Sequence, residues 1–318
     1  MKRCVWLLAV CLALPAGLSA GEKAGSKNIL LITESKGFIH GCVARKVTVA
    51  KDADFEKLAK IDGLRVQTNK SKDGKISHNV FYDGRIDEKG VEIKDGDKVV
   101  VKIAPCVVEK TFMQFGPKNG FHVVCSQESR NEISAEKLKN YDAVFFYTTG
   151  SLPLSGTQKS DLLAFIRSGK GFAGSHCATD TFYDWKEYGE LIGGYFDGHP
   201  WHQKIKVIVE DKNSPMTKHL GDSFEITDEI YQFKTPYSRD KLHVLLRLDM
   251  GSVKAAGKRK DGDNALAWIH SYDKGRVFYT ALGHRDEVWA DPRFQQHLIG
   301  GLRYIFFVEN ADATPSAK

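Results

Sequence analysis

The chain has 318 residues and a formal net charge of +6, with its charged residues spread along the sequence. A charge this small and dispersed gives no basis for nucleic-acid binding, so no nucleic-acid partner is predicted. The length allows one large domain or a domain with an inserted subdomain.

The first twenty residues have the features of a secretory signal peptide. Lys2 and Arg3 precede an apolar stretch over 4–14, and small residues lead to Ala20. We predict cleavage after Ala20 and a periplasmic or secreted protein. A membrane anchor is the alternative, but the apolar stretch is shorter than the ~20 residues that a spanning helix needs. No later stretch could cross a bilayer, so no integral membrane segment is expected after cleavage.

The mature chain would keep four cysteines: Cys42, Cys106, Cys125 and Cys177. Four cysteines in an exported chain of this length are too few for a disulfide framework. One disulfide and buried free thiols are both compatible with this number.

The first half alternates between apolar runs and helical patterns. Buried strands are predicted at 28–33, 121–125 and 141–147, and a fourth ends at Ser175. Helices are predicted at 107–115 and 155–168. This alternation favours an α/β fold in which a parallel sheet is covered by helices on both faces.

Residues 46–103 have a different character. Turn signals recur there about every ten residues, at Asp73-Gly74, Asp83-Gly84, Lys89-Gly90 and Asp95-Gly96. They predict a small antiparallel β insertion. It would serve as a lid or partner surface, or be a tolerated decoration. The expected organisation is a signal peptide (1–20), an α/β domain (21–45 and 104–310), the inserted β subdomain (46–103) and a polar tail (311–318).

The second half is richer in strands, predicted at 204–210, 224–231, 243–248, 265–269 and 276–280. Lys274-Gly275 fits a tight turn between the last two strands. A closing helix is predicted over 292–307, followed by the tail without a packing pattern.

Four histidines follow a predicted strand or a glycine turn: His40, His176, His199 and His284. The carboxyl ends of parallel strands share one edge of the sheet, so these side chains are expected to meet in one crevice. A capping or hydrogen-bonded structural role is the alternative for any one of them.

Three carboxylates accompany these histidines. Asp180 follows His176 by one helical turn, and Asp228 and Glu229 interrupt an otherwise apolar strand. A carboxylate beside an imidazole fixes its tautomer and raises its basicity, as general-base catalysis and metal binding both require. Otherwise Asp180 would cap the following helix and Glu229 would pair with a surface lysine.

These residues leave open whether the protein binds a metal. With a carboxylate, His176, His199 and His284 could hold zinc or a similar divalent ion with one position free for water. However, no two histidines have the local spacing of a zinc motif. Cys177 suggests a thiol nucleophile instead, but His176 occupies the middle of the turn and the cysteine side chain is expected to pack inward.

The sequence resembles the ThuA-like (trehalose utilisation) family within the class I glutamine amidotransferase-like superfamily. The resemblance covers residues 27–307 apart from 46–103. It is carried by Gly37-Phe-Ile-His40, Tyr141-Asp-Ala-Val-Phe-Phe with Thr149-Gly150, Gly174-Ser-His176 with Thr179-Asp180, Leu191-Ile-Gly-Gly-Tyr-Phe-Asp-Gly-His-Pro200, Asp228-Glu-Ile-Tyr231 and Gly275-Arg-Val-Phe-Tyr-Thr-Ala-Leu-Gly-His284.

This resemblance implies a flavodoxin-like three-layer fold with a mainly parallel central sheet, and a role in carbohydrate use. The amidotransferases carry a cysteine nucleophile at the strand-to-helix turn. Here His176 takes that position, so glutamine amidotransferase activity is not expected. The activity proposed for the family centres on oxidised or keto-sugars.

Our leading hypothesis is an exported enzyme, a hydrolase, lyase or isomerase, that acts on a small carbohydrate substrate. The alternatives are a non-catalytic carbohydrate-binding or accessory protein that uses the same crevice, and a Cys177 thiol hydrolase. Catalytic roles are assigned to His176, Asp180, His199, Glu229 and His284, and substrate contacts to His40, Tyr231, Trp201 and Arg285.

Overall fold

A computed structural model describes residues 26–316, so the predicted signal peptide lies outside the described part. The strands are β1 (Lys27–Ile32), β2 (Lys46–Val49), β3 (Leu64–Lys70), β4 (Ile76–Tyr82), β5 (Val91–Asp95), β6 (Lys98–Ala104), β7 (Phe121–Ser126), β8 (Ala143–Phe146), β9 (Gly171–Ser175), β10 (Tyr195–Phe196), β11 (Trp201–Val209), β12 (Ser223–Ile230), β13 (Phe233–Lys234), β14 (His243–Leu248), β15 (Ala265–Tyr272) and β16 (Gly275–Thr280). The helices are α1 (Phe55–Leu58), α2 (Val107–Phe115), α3 (Ser129–Glu132), α4 (Ala135–Leu138), α5 (Gly156–Arg167), α6 (Lys186–Ile192), α7 (Asp286–Ala290) and α8 (Pro292–Ile305).

The centre of the fold is a nine-stranded sheet in the order β12-β11-β14-β15-β16-β9-β8-β1-β7. The strands from β16 to β7 in this order are mutually parallel, whereas β12, β11, β14 and β15 join by antiparallel pairing. Both β8 and β9 are buried along their whole length, as continuous apolar strands between helices should be. The predicted α/β class is confirmed as a mixed sheet, and the flavodoxin-like three-layer arrangement stays a prediction.

Local sequence signals explain where the long helices begin. Ser155 and Gln158 form a capping box at the start of α5, which satisfies backbone N–H groups that have no partner inside the helix. Asp291 accepts the N–H of Arg293 before α8, and Pro292 occupies the first position of that helix, where its fixed φ is favourable.

Residues 46–104 form two small antiparallel sheets, β2-β6-β5 and β3-β4. The β3–β4 hairpin turns at Gly74, which has a φ of +82°. Arg45 ties this region to the helix α2, because its guanidinium pairs with Glu109 and donates to the carbonyl groups of Tyr82 and Gly84. The predicted antiparallel strands are therefore present, and the division of the chain into domains stays a prediction.

The described part of the polar tail, residues 311–316, has neither helix nor strand, but it is attached to β14. The N–H of Ser316 donates to the carbonyl of Leu242 at 2.9 Å, and a ring nitrogen of His243 lies 2.7 Å from the carbonyl of Thr314. Within residues 26–316 no helix is both long enough and apolar enough to cross a membrane.

The cysteines Cys42, Cys106, Cys125 and Cys177 are unpaired and buried. The structure therefore has free thiols where the sequence also allowed one disulfide.

The hairpin of β11 and β12 shapes the functional edge of the sheet. These strands pair with each other from Trp201–Ile230 to Ile208–Ser223, but β11 pairs with β14 only over residues 207–209. The other end of the hairpin reaches the carboxyl edge of the parallel strands, since Asp228 accepts the N–H of Gly283, just after β16. A carboxylate pair from an antiparallel strand thus arrives where the parallel strands end.

Candidate functional site

Three imidazoles and one carboxylate meet at the carboxyl edge of the parallel strands. One ligand atom from each of His40, His176, His284 and Glu229 lies within 4.8 Å of the others. The histidines follow β1, β9 and β16, and Glu229 comes from the β11–β12 hairpin. We call these four residues the His–Glu cluster. It is the part of the described structure whose residue types and geometry can bind a metal or transfer a proton.

His176 is the innermost member and is fully buried. Its Nδ1 lies 2.9 Å from the carbonyl oxygen of Ala281. Because a carbonyl only accepts hydrogen bonds, Nδ1 carries the proton in the neutral ring and Nε2 offers its lone pair. That Nε2 lies 3.4 Å from Glu229 Oε2 and 3.2 Å from His284 Nδ1.

The backbone at His176 is unusual for a residue with a Cβ, since its φ is +47°. This left-handed conformation turns the chain sharply at the end of β9 and into a short 3-10 helix. Gly174 makes room for that helix, because a Cβ there would lie 2.6 Å from the Cβ of Ala178. Strained backbone of this kind is concentrated at functional sites.

The loop that carries His284 is held by buried polar groups. Asp228 accepts the N–H of Gly283 at 2.7 Å and the N–H of Arg285 at 3.2 Å. The carbonyl of Gly283 accepts from the Tyr147 hydroxyl at 3.0 Å and from the Trp289 indole at 2.8 Å. These four bonds fix the loop on both sides of His284.

Glu229 divides its two carboxylate oxygens between two groups of histidines. Oε2 lies 3.1 Å from His284 Nδ1 and also faces His176. Oε1 lies 3.4 Å from His199 Nδ1 and 4.0 Å from His202 Nδ1. The carboxylate is therefore shared between the cluster and two half-exposed imidazoles at its mouth.

The protonation of the cluster follows from burial and these contacts. Burial, together with the charges of His176 and His284, lowers the pKa of His40 to about 3. Burial acts to raise the pKa of Glu229, but the nearby imidazoles of His176 and His284 outweigh burial and hold that pKa well below its usual range. Burial lowers the pKa of His284, and the bond to Glu229 reverses this and raises it overall.

Two of the residues assigned substrate contacts are buried. His40 is 2% exposed and Tyr231 is 4% exposed. The Tyr231 ring packs on His176 with centroids 4.0 Å apart, and Phe196 packs on the outside of Tyr231 at 4.2 Å. His40 and Tyr231 thus build the inner wall of the site, and partly buried Phe196 is closer to a ligand approaching from solvent.

The remaining predicted residues lie around the cluster. Asp180 accepts the Tyr183 hydroxyl at 2.6 Å and has no hydrogen bond to a histidine within residues 26–316. Trp201 is buried and its indole donates to the Ala255 carbonyl at 2.8 Å, so packing accounts for this ring. The Arg285 side chain points to Glu287, 3.3 Å away.

The sequence places Asp228 beside Glu229 in an otherwise apolar strand but indicates no specific role for it. It is fully buried, and burial raises the pKa of its carboxyl group. It contacts the loop of His284 rather than an imidazole. A buried acidic residue in an apolar strand was the signal for this positioning role.

Cys177 is fully buried in the 3-10 helix after β9, and its side chain packs inward as expected. Burial raises the pKa of its thiol well above the usual value. A thiol nucleophile requires the opposite shift and access to substrate.

A separate cavity of about 630 Å³ opens between residues 46–104 and the segment after β1. Its lining includes Lys36, Ile39, Arg65 and His78, and no member of the His–Glu cluster. Ile39 faces this cavity, whereas the next residue, His40, belongs to the His–Glu cluster. Volume alone would favour the cavity as a binding site, but the convergent titratable groups favour the cluster.

Comparison with known proteins decides the family. The model of the ThuA family, described as trehalose utilisation, matches residues 100–305, more than half of the chain. The chain belongs to the ThuA family. The family's description connects this ThuA protein with carbohydrate metabolism. No curated protein matches the sequence significantly.

Solved structures support the same fold. A ThuA-like protein from Bacteroides uniformis shares 20% identity with a TM-score of 0.57, covering 92% of this chain and 95% of its own. A ThuA-like protein from Parabacteroides merdae shares 18% identity with a TM-score of 0.53, covering 66% of this chain and 88% of its own. At these identities the similarity of this ThuA protein to them concerns the fold.

Proposed function

We propose that this ThuA protein is an enzyme that processes a sugar, glycoside or keto-sugar at the His–Glu cluster. The observation that carries the proposal is the meeting of three imidazoles and a carboxylate at the edge of the sheet where open α/β folds bind ligands. Hydrolysis, elimination and isomerisation of sugars all require proton transfer by positioned side chains.

The cluster has an outer pair suited to proton exchange with a substrate. The side chains of His284 and Glu229 are 21% and 10% exposed, and they lie 3.1 Å apart. His176 lies behind them and orients both. At the mouth, Phe196 offers an aromatic face on which a sugar ring can stack, while His199 and His202 can donate hydrogen bonds to hydroxyl groups.

Replacing Glu229 with Gln is expected to lower turnover about 10²-fold, the lower end of what a positioned acid–base group contributes. The amide keeps the shape but loses the charge that holds the imidazoles. Turnover would be measured on a panel of sugars, glycosides and keto-sugars. Glu225→Gln, on the same strand but exposed and paired with Lys204, is the matched control and should leave turnover unchanged.

Two results would change this proposal. Saturable binding of a panel member without any turnover would identify a non-catalytic carbohydrate-binding protein. Equal turnover by the wild type and Glu229→Gln would move the chemistry away from the cluster.

Alkylation should leave activity intact, since Cys177 is buried and its thiol is poorly ionised. We expect native protein treated with iodoacetamide to retain full turnover, while mass spectrometry finds Cys177 unmodified. Labelling of the unfolded chain is the positive control. Loss of turnover in proportion to Cys177 labelling would instead support the thiol hydrolase.

Export and the three-layer arrangement are part of the same proposal. The signal-like sequence of residues 1–20 supports export, and a mature N-terminus at Gly21 in the exported protein, found by mass spectrometry, would test it. An uncleaved chain retained inside the cell would contradict it. The helices packed against the parallel strands support a flavodoxin-like core, which an experimental structure would test.

A further inference from the structure

We propose that His40, His176, His284 and Glu229 bind one divalent transition-metal ion, with three nitrogen ligands and one oxygen ligand. This inference concerns the same site as the proposed function and would supply that function with a Lewis acid. It rests on the geometry of the cluster and applies whether or not the substrate is a sugar.

Three of the ligand atoms form a nearly regular triangle. The distances are 3.2 Å between His176 Nε2 and His284 Nδ1, 3.1 Å between His284 Nδ1 and Glu229 Oε2, and 3.4 Å between His176 Nε2 and Glu229 Oε2. In a tetrahedral zinc site with bonds of about 2.0 Å, two ligand atoms are about 3.3 Å apart. The triangle therefore has the size of one face of such a site, and His40 lies within 4.8 Å as the fourth ligand.

The protons of the cluster are not well satisfied by hydrogen bonds alone. His176 Nε2 presents a lone pair, because its Nδ1 donates to the Ala281 carbonyl. His284 Nδ1 faces that lone pair and a carboxylate oxygen together, and a single N–H can point well at only one of them. A cation between the three atoms would satisfy all of them.

His40 gives an independent indication. It is 2% exposed, and its Nδ1 is buried without a hydrogen-bond partner. A buried polar nitrogen without a partner costs free energy. Its ring packs edge-on to His176 and His284, with centroids 4.9 and 5.1 Å away. Coordination of an ion by His40 would explain why an imidazole occupies this position.

The groups around the ligands hold them as metal sites require. The Ala281 carbonyl fixes the ring of His176, and Asp228 fixes the loop of His284 through the N–H groups of Gly283 and Arg285. Such supporting contacts commonly set the orientation and tautomer of metal-binding histidines. His176 is also held at a φ of +47°, which directs its ring into the cluster.

The charge of the cluster suits a dication. Within residues 26–316 the ion-pair partners of Glu229 are all histidines, and no lysine or arginine neutralises it. Three imidazoles and one carboxylate are ligands that Zn²⁺, Fe²⁺, Co²⁺ and Ni²⁺ accept. The partial exposure of His284 and Glu229 gives an ion a route in from solvent.

Metal analysis of the full-length chain tests the proposal. Protein purified without chelator would be analysed by plasma mass spectrometry, then stripped and titrated with Zn²⁺ by calorimetry and with Co²⁺ by visible absorption. We expect one ion per chain and a Co²⁺ spectrum with the intense visible bands of a four- or five-coordinate nitrogen–oxygen site. His284→Ala and Glu229→Gln should weaken Zn²⁺ binding by about 10²-fold or more.

His219→Ala is the control, because His219 is an exposed histidine with a backbone carbonyl partner outside the cluster. The Zn²⁺ affinity of this variant should match that of the wild type. Circular dichroism would establish that each variant is folded, and Glu229→Gln is the conservative choice if His284→Ala is not. Failure of stripped wild-type protein to bind Zn²⁺ or Co²⁺, or equal binding by the cluster variants, would overturn the proposal.

The same samples separate this inference from the proposed function. A bound ion with no turnover of any sugar, glycoside or keto-sugar would support the metal centre and contradict the proposed enzyme activity. Full turnover by stripped protein that binds neither Zn²⁺ nor Co²⁺ would contradict the metal centre and support the enzyme.

Discussion

Replacing His176 with Asn is expected to lower turnover by about 10³-fold or more, within the range that a positioned acid–base group contributes. The buried ring is the link between His284 and Glu229, and its Nε2 faces both. Asn tolerates positive φ better than most residues, and its amide can still donate to the Ala281 carbonyl. The variant should therefore fold but lack the nitrogen lone pair that the cluster uses.

His297→Asn is the matched control for this variant. His297 is also buried, and its Nδ1 also lies 2.9 Å from a backbone carbonyl, that of Met216, but it is not a member of the cluster. The His297→Asn variant should be less stable, because a buried histidine is replaced, but its turnover per folded molecule should equal that of the wild type. Thermal melts and steady-state kinetics on both variants make the comparison. A large stability loss with retained turnover in His176→Asn would contradict the assigned role.

Replacing Arg45 with Ala is expected to lower the free energy of unfolding by about 3–5 kcal/mol, because it leaves a buried carboxylate without its partner. Glu109 is fully buried and accepts from Arg45 Nη2 at 2.6 Å, from the Thr33 hydroxyl at 3.0 Å and from the N–H of Cys106 at 2.9 Å. The guanidinium also donates to the carbonyl groups of Tyr82, the last residue of β4, and Gly84. Its loss would loosen residues 46–104 from α2.

Arg65→Ala provides the comparison on the surface. Arg65 is half exposed, lies 3.3 Å from Asp83 and stacks on the Phe81 ring. Exposed contacts of these kinds contribute about 1 kcal/mol or less each. Urea unfolding of the wild type and both variants gives the free energies. Equal losses in the two variants would show that the Arg45 pair contributes no more than a surface contact.

The parallel half of the sheet was predictable because its strands are continuous apolar runs. The runs over 28–33 and 121–125 correspond to β1 and β7, and the helix predicted over 155–168 corresponds to α5, which Ser155 caps. Short elements were not predicted. The pairing of β10 with β13 involves two residues in each strand, which is too little for a hydrophobic period to appear.

The histidines of the cluster were predictable from topology, since His40, His176 and His284 each follow a strand of the parallel set. The contact of Glu229 with these histidines was not predictable. It depends on the β11–β12 hairpin, which leaves β14 and crosses to the end of β16. The burial of Tyr231 was equally hidden. An aromatic residue at a strand end has the same sequence signal whether its ring faces a ligand or a neighbouring side chain.

The most direct test of the central claim, that the His–Glu cluster is the site of chemistry, is a crystal structure of Glu229→Gln with a sugar or keto-sugar substrate bound. We predict electron density for the sugar at the mouth of the cluster, with a reacting atom within hydrogen-bond distance of His284 and a ring face against Phe196. Density for the sugar in the cavity of about 630 Å³ beside Arg65 and His78, with the cluster free of ligand, would contradict the claim.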